Sequence, residues 1–152
     1  MDSPPFGSYC SDVVVSTPLG IRMSCSSIIY ALLATGISKL HCICSDEMWH
    51  HYSGPSIEVI ELDTSVSGHA RKTVLGKRFA APHFNQLQHV VKAGTWFGAR
   101  VLSDAADEAS GSVPAVLGCT VSPSFDFADF SMGDREHLLC LCVPCHSLHC
   151  IK

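Results

Sequence analysis

Three histidines and two acids, His41, Asp46, Glu47, His50 and His51, fall within eleven consecutive residues of the segment Leu40-His41-Cys42-Ile43-Cys44-Ser45-Asp46-Glu47-Met48-Trp49-His50-His51-Tyr52-Ser53-Gly54. A histidine beside a carboxylate takes and returns protons near neutral pH, so these residue types suit general acid/base chemistry. The same types also ligate divalent metals. The competing reading is one structural histidine and two solvated ones. Alternate side chains of a strand share a face, so His41 on one strand and Glu47 and His50 after a tight turn can converge inside a barrel. Chemistries that depend on a Gly-rich phosphate loop, a nucleophile elbow or His-Glu-x-x-His are excluded, because none of these motifs is present.

A second stretch with chemical potential is Cys140-Leu141-Cys142-Val143-Pro144-Cys145-His146-Ser147-Leu148-His149-Cys150. Taken alone, Cys142-Val143-Pro144-Cys145-His146 is a c-type haem attachment string, and with His149 or Cys150 it offers four soft ligands for zinc. Haem would need a secreted or periplasmic chain and a helical pocket, neither of which the remaining sequence offers.

Positioning these residues falls to one domain: 152 residues with 47% hydrophobic and 16% charged residues can bury a core without disulfide or metal staples. The net charge is -4, and the basic residues cluster no further than Arg71-Lys72 and Lys77-Arg78. Nucleic acid and anionic membrane surfaces are therefore not expected as partners. The longest apolar stretch, Ile28 to Ala34, falls well short of the roughly 20 residues that span a bilayer. Met1-Asp2-Ser3-Pro4-Pro5 is acidic where a secretory signal would be basic, and the nine cysteines are odd in number. A cytoplasmic chain with its cysteines as thiols is expected.

Short apolar runs recur about every ten residues between Gly, Pro, Ser and Asp, an all-β pattern. The expected strands are Asp12–Ser16, Cys25–Leu33, Lys39–Ile43, Ile57–Asp63, Lys72–Leu75, Leu87–Lys92, Trp96–Leu102 and Val116–Val121. Asp104 to Gly111 reads as an exposed loop, and Gly133 to Leu139 as the one short helix, with acids in its first turn. The division is an N-terminal arm over 1–11, a barrel over 12–132, and a short helix with a tail over 133–152.

The spacing of His41, Ile43, Glu47 and Gly54 resembles the first cupin motif, in which a Gly precedes His-x-His, then Glu and a second Gly follow. Gly36 lies one residue closer than that pattern asks, and Ile43 stands where the second metal-binding His would be. A longer likeness is to the uncharacterised single-domain proteins called the fifth cupin family. It rests on Leu40-His41 with Ser45-Asp46-Glu47-Met48-Trp49-His50, on Ala93-Gly94-Thr95-Trp96-Phe97, and on the block from Gly118 to Phe130, in register over roughly residues 24 to 141. The second motif, usually Pro-x-Gly-x-x-His, is here Lys92-Ala93-Gly94-Thr95-Trp96-Phe97, without its Pro and its His. The family's N-terminal Glu-Gly-Gly-Tyr is here Phe6-Gly7-Ser8-Tyr9, so no role of that Glu carries over.

The resemblance implies a cupin-type double-stranded β-helix, a jelly-roll barrel of two facing sheets with one short C-terminal helix. It also implies a homodimer paired through the N-terminal strands, and it makes the Cys-rich stretch merely the tail. A cupin metal sees three His and one Glu, of which only His41 and Glu47 remain, with His50 as a third ligand if the turn folds it back. No cofactor is expected. Without metal, the architecture is that of sugar-nucleotide epimerases, with His41 or His50 as base, Glu47 as orienter, and Tyr52 or Gln88 as donor. Trp96, Phe97 and Asp126 complete the expected ligand-binding set. His41, Glu47, His50, Gln88 and Trp96 are expected around one cavity, with His51 facing opposite to His50. The leading function is a metal-free isomerase, epimerase or lyase acting on a carbonyl or sugar-like molecule. A non-catalytic ligand-binding barrel and a metal-dependent oxygenase are the alternatives.

Overall fold

The structure is a computed structural model that describes residues 6–33, 36–63, 69–78, 84–102, 113–134, 136 and 138. Among these residues twelve strands run in chain order: β1 (Gly7–Cys10), β2 (Val14–Thr17), β3 (Gly20–Met23), β4 (Ser26–Leu32), β5 (Ile37–Ile43), β6 (Asp46–Ser53), β7 (Ile57–Asp63), β8 (His69–Leu75), β9 (Gln88–Val91), β10 (Phe97–Val101), β11 (Ala115–Ser122) and β12 (Phe130–Met132). They form two five-stranded antiparallel sheets, in the orders β1-β4-β11-β6-β9 and β12-β5-β10-β7-β8, with β2-β3 as a separate hairpin. This is the double-stranded β-helix that the apolar spacing and the motif register lead one to expect.

Period two decides what each strand presents to the space between the sheets. Along β6, Glu47, Trp49 and His51 are buried while Met48, His50 and Tyr52 are not, so the odd positions point inward. Opposite residues of an antiparallel pair share a face. Trp49 therefore brings Cys119 of β11 and His89 of β9 inside, and Phe97 of β10 brings His41 of β5 and Glu61 of β7. The core between the sheets is Leu32, Trp49, Ile57, Val59, Leu75, Val91, Phe97, Ala99, Ala115, Leu117 and Cys119. β7 is buried on both faces, because a second cluster of Leu40, Leu62 and Leu138, with Trp96 packed against it, covers its outer side.

Turns are set where only glycine fits. Gly54, at φ 85°, links β6 to β7, and a Cβ there would run into the Pro114 carbonyl. Gly94, at φ 76°, turns the chain from β9 into β10 and donates its N–H to the Ile43 carbonyl.

β1, β3, β6 and β12 add to the eight expected strands. β1 joins the sheet by pairing with β4, although no residue of it is buried and it carries no apolar run to announce it. At the C-terminal end, Glu136 and Leu138 are helical and the Leu138 N–H donates to the Asp134 carbonyl, where the short helix is expected. The expected loop from Asp104 to Gly111 and the Cys140 to Cys150 stretch lie outside the described residues. No helix among the described residues is long and apolar enough to cross a membrane.

Candidate active site

His41 and Glu47 are the two expected catalytic residues that face the interior. The His41 ring lies 4.2 Å from the Phe97 ring and 5.6 Å from that of Phe130, centroid to centroid. Its Nδ1–H donates to the Lys39 carbonyl at 2.7 Å, which fixes the tautomer. Glu47 is buried, and burial raises its pKa to about 7, against the opposing effect of a hydrogen bond from the Cys119 thiol. Burial first, and then the Glu47 charge, push Cys119 well above its ordinary range, so it stays a thiol and donates to Glu47. Tyr30 hydrogen-bonds Cys119 from its other side.

The remaining expected site residues lie elsewhere, and His50 is the largest correction. It is on the outer face of β6, where its Nε2 meets Thr120 Oγ1 at 3.2 Å and its Nδ1 accepts from Gln88 Nε2 at 3.1 Å. Tyr52 stacks on His50 with ring planes 10° apart, so Tyr52 and Gln88 are exterior too. His51, expected to point away, is the buried histidine that shares a face with Glu47. The physical reason is parity: on β6, residues 47 and 50 are three apart and point to opposite faces, whereas 47 and 51 are four apart and share one. Trp96 packs on the outer cluster beside Leu40 and Leu62, because Phe97, its neighbour, takes the inward position. Phe97 itself is wholly buried and acts as a wall. Asp126 caps the 3-10 turn Phe127–Asp129 by accepting the Ala128 N–H, beside an Arg22–Asp129 ion pair.

Sequence reasoning missed a trio at the edge of the barrel interior, in which His89 and Glu61 are largely buried and Arg71 is 64% exposed. His89 Nε2–H donates to Glu61 Oε2 at 2.7 Å, and Arg71 grips the same carboxylate through Nε and Nη2 at 2.9 to 3.0 Å. Glu61 is buried on β7 although it is a carboxylate, and nothing in the local pattern reveals that β9 delivers a histidine to it. Among the described residues, two buried side-chain polar atoms have no hydrogen-bond partner, Trp49 Nε1 and His51 Nδ1.

A metal of the usual cupin kind does not fit these residues. Two of its four ligand positions are Ile43 and Phe97, both buried and without a ligating atom, and among the described residues no three His, Cys, Asp or Glu side chains converge as ligands.

Two facing antiparallel sheets with polar groups held between them define a cupin-fold barrel. The chain belongs to the Cupin superfamily (DUF985) family, whose profile matches residues 8–133. A hypothetical protein from Leishmania major has the same fold, with a TM-score of 0.75 and 27% identity over 88% of this chain and 78% of that one. A protein from Shewanella oneidensis matches with a TM-score of 0.70 and 28% identity, over 87% of this chain and 74% of that one. A dTDP sugar isomerase from Desulfovibrio desulfuricans shares the fold at a TM-score of 0.58 and 11% identity, over 91% and 89% of the two chains. No curated protein matches the chain.

Proposed function

We propose that the barrel interior performs metal-free acid/base chemistry, an isomerisation, epimerisation or elimination, on a small carbonyl or sugar-like molecule. The carrying observation is the pairing of losses with retentions on the inner face. Two metal positions have become Ile43 and Phe97, while His41 and a Glu47 whose pKa is raised to about 7 remain. A carboxyl that titrates near the working pH is well placed to exchange protons with a substrate. The sugar isomerase neighbour supports the architecture alone.

Deuterium uptake from heavy water, followed by mass spectrometry across sugars and keto acids, is the test. At least one compound is expected to exchange. Glu47→Gln and His41→Gln are each expected to lower exchange by roughly 10²- to 10⁴-fold while the protein stays folded. No exchange across the panel, with tight binding of some member, would favour the ligand-binding reading. Protein purified without tag or chelator is expected to hold far less than one metal per chain. A stoichiometric metal on His41 and Glu47 would overturn the proposal.

The same proposal includes a cytoplasmic homodimer paired through the N-terminal strands. The five described cysteines are free thiols, as a reducing compartment keeps them. No residue of β1, β2 or β3 is buried, and Tyr9, Val14, Ile21 and Met23 are exposed. A two-stranded ribbon is marginal alone, so a second copy covering it is the stabilising arrangement. Light scattering is expected to give twice the 16.3 kDa chain mass, and Val14→Lys with Ile21→Lys to give the monomer.

A further inference from the structure

Within the acid/base reading, on which this inference rests, we propose that Trp49 and His89 form the reacting pair: the Trp49 indole N–H holds the carbonyl oxygen of an enolisable aldehyde or ketone while His89 Nδ1 removes a proton from the adjacent carbon. Trp49 and His89 are directly opposite in the antiparallel β6–β9 pair, both on the inner face. Such partners have Cβ atoms about 4.5 to 5.5 Å apart, so the two side chains are immediate neighbours on that face.

Trp49 is 1% exposed, yet its Nε1–H has no hydrogen-bond partner among the described residues. Leaving a buried donor unpaired is unfavourable, and such a group in a native fold calls for a ligand or a water. The indole is held edge-on between Tyr30 at 6.1 Å and Phe97 at 6.0 Å, so its donor is fixed before any ligand arrives. A fixed donor in a dry site stabilises a developing oxyanion without having to reorganise.

His89 is oriented from behind. Its Nε2–H is committed to Glu61, and the Arg71 guanidinium locks that carboxylate, which leaves Nδ1 as the lone-pair nitrogen, without a partner among the described residues. A base held in one tautomer by a carboxylate, itself held by a third group, is the arrangement that activates histidine elsewhere. His51 also has an unpartnered Nδ1, but its Nε2 meets the Pro55 carbonyl at 2.9 Å. Of the two, only His89 has a carboxylate behind it, the orienting partner of a histidine base, so the base is assigned to His89.

The step balances. The C–H bond next to the carbonyl breaks and its proton passes to His89 Nδ1. Its electron pair forms the carbon–carbon double bond of the enolate, and the negative oxygen accepts from Trp49 Nε1–H. Return of a proton to either carbon, from His89 or from Glu47, which shares the inner face of β6 with Trp49, completes an isomerisation or an inversion, and in heavy water it leaves deuterium behind.

The full chain, Trp49→Phe and His89→Gln are compared in two measurements. The first is deuterium uptake into hydroxyacetone, dihydroxyacetone and pyruvate. The second is the proton–nitrogen spectrum during titration with the same compounds and with oxalate, a planar anion shaped like an enolate. With only two tryptophans in the chain, Trp49→Phe assigns the Trp49 indole signal. Trp49→Phe is expected to lose roughly 10²- to 10³-fold in exchange rate. His89→Gln is expected to lose roughly 10²- to 10⁴-fold with affinity for oxalate kept within a few-fold, whereas Trp49→Phe, which removes the donor, is expected to bind oxalate roughly tenfold or more weakly. In the unaltered chain the Trp49 indole proton is expected to move downfield with oxalate. Exchange that persists in either variant overturns the inference and leaves the broader acid/base reading standing. Absence of exchange in the unaltered chain overturns both, and a Trp49 indole signal that no compound moves overturns the inference whatever the exchange shows.

Discussion

Phe97→Ala is expected to lower stability by roughly 3–5 kcal/mol, a large part of the 5–15 kcal/mol that holds a typical domain together. Phe97 is fully buried at the start of β10, the central strand of its sheet, flanked on the inner face by His41 on one neighbouring strand and Glu61 on the other. From the facing sheet, the Trp49 ring meets it edge-on at 6.0 Å. Truncation removes the contact between sheets and leaves a cavity that strand backbones, tied by their ladders, collapse into only partly. His41 also loses the ring it packs against at 4.2 Å. Chemical denaturation should show a lower midpoint with an unchanged slope, and Phe97→Leu, which keeps most of the volume, should lose markedly less. A loss below about 1 kcal/mol for Phe97→Ala would mean that this position is not the key between the sheets.

Glu47→Gln is expected to stabilise the protein above pH 7 by up to about 3 kcal/mol. In the folded chain the Glu47 pKa is raised from 4.5 to about 7. Below pH 4.5 the group is protonated whether the chain is folded or unfolded, and it exacts no penalty. Between the two values the unfolded chain releases its proton while the folded chain keeps it, so stability falls as pH rises and levels off above about 7. Each unit of difference corresponds to about 1.4 kcal/mol, which sets the size of the effect. Glu47→Gln abolishes this slope, so the two proteins should be nearly equal at pH 4 and diverge toward pH 8. The histidines titrate in the same window but are common to both, and subtracting the two curves isolates Glu47. Coincident curves at pH 8 would show that Glu47 is not held in a destabilising site. A carboxyl kept inside a barrel at a net cost fits one retained for chemistry.

Much of this barrel can be read from the chain alone. Short apolar runs between Gly, Pro and Ser mark β4, β5, β7, β10 and β11 because a strand needs few residues to bury a face, and turn residues punctuate it. The position of His41 relative to Glu47 and Gly54 places both polar side chains inside. Parity is legible as well: Glu47 with Trp49 and His51 on one face, and Met48 with His50 and Tyr52 on the other, follows from period two once either residue is known to face inward. His50 is a site candidate only when that rule is set aside. β1 and β12 have no such signature, since their stability comes from the strand they pair with and not from their own side chains.

What the sequence by itself determined, then, is the all-β class, the cupin register and the loss of two metal ligands at Ile43 and Phe97, because each is a matter of residue type and local spacing. Only the tertiary structure decided that Glu61 on β7 meets His89 on β9, that Arg71 closes over them, and that Cys119 is the partner of Glu47. Those contacts join residues that are distant in the chain, across strand pairings and between the two facing sheets. Neither the order in which strands pair nor which sheet faces which is encoded in any local period. The same holds for the empty donor on Trp49, whose lack of a partner depends on every strand around it.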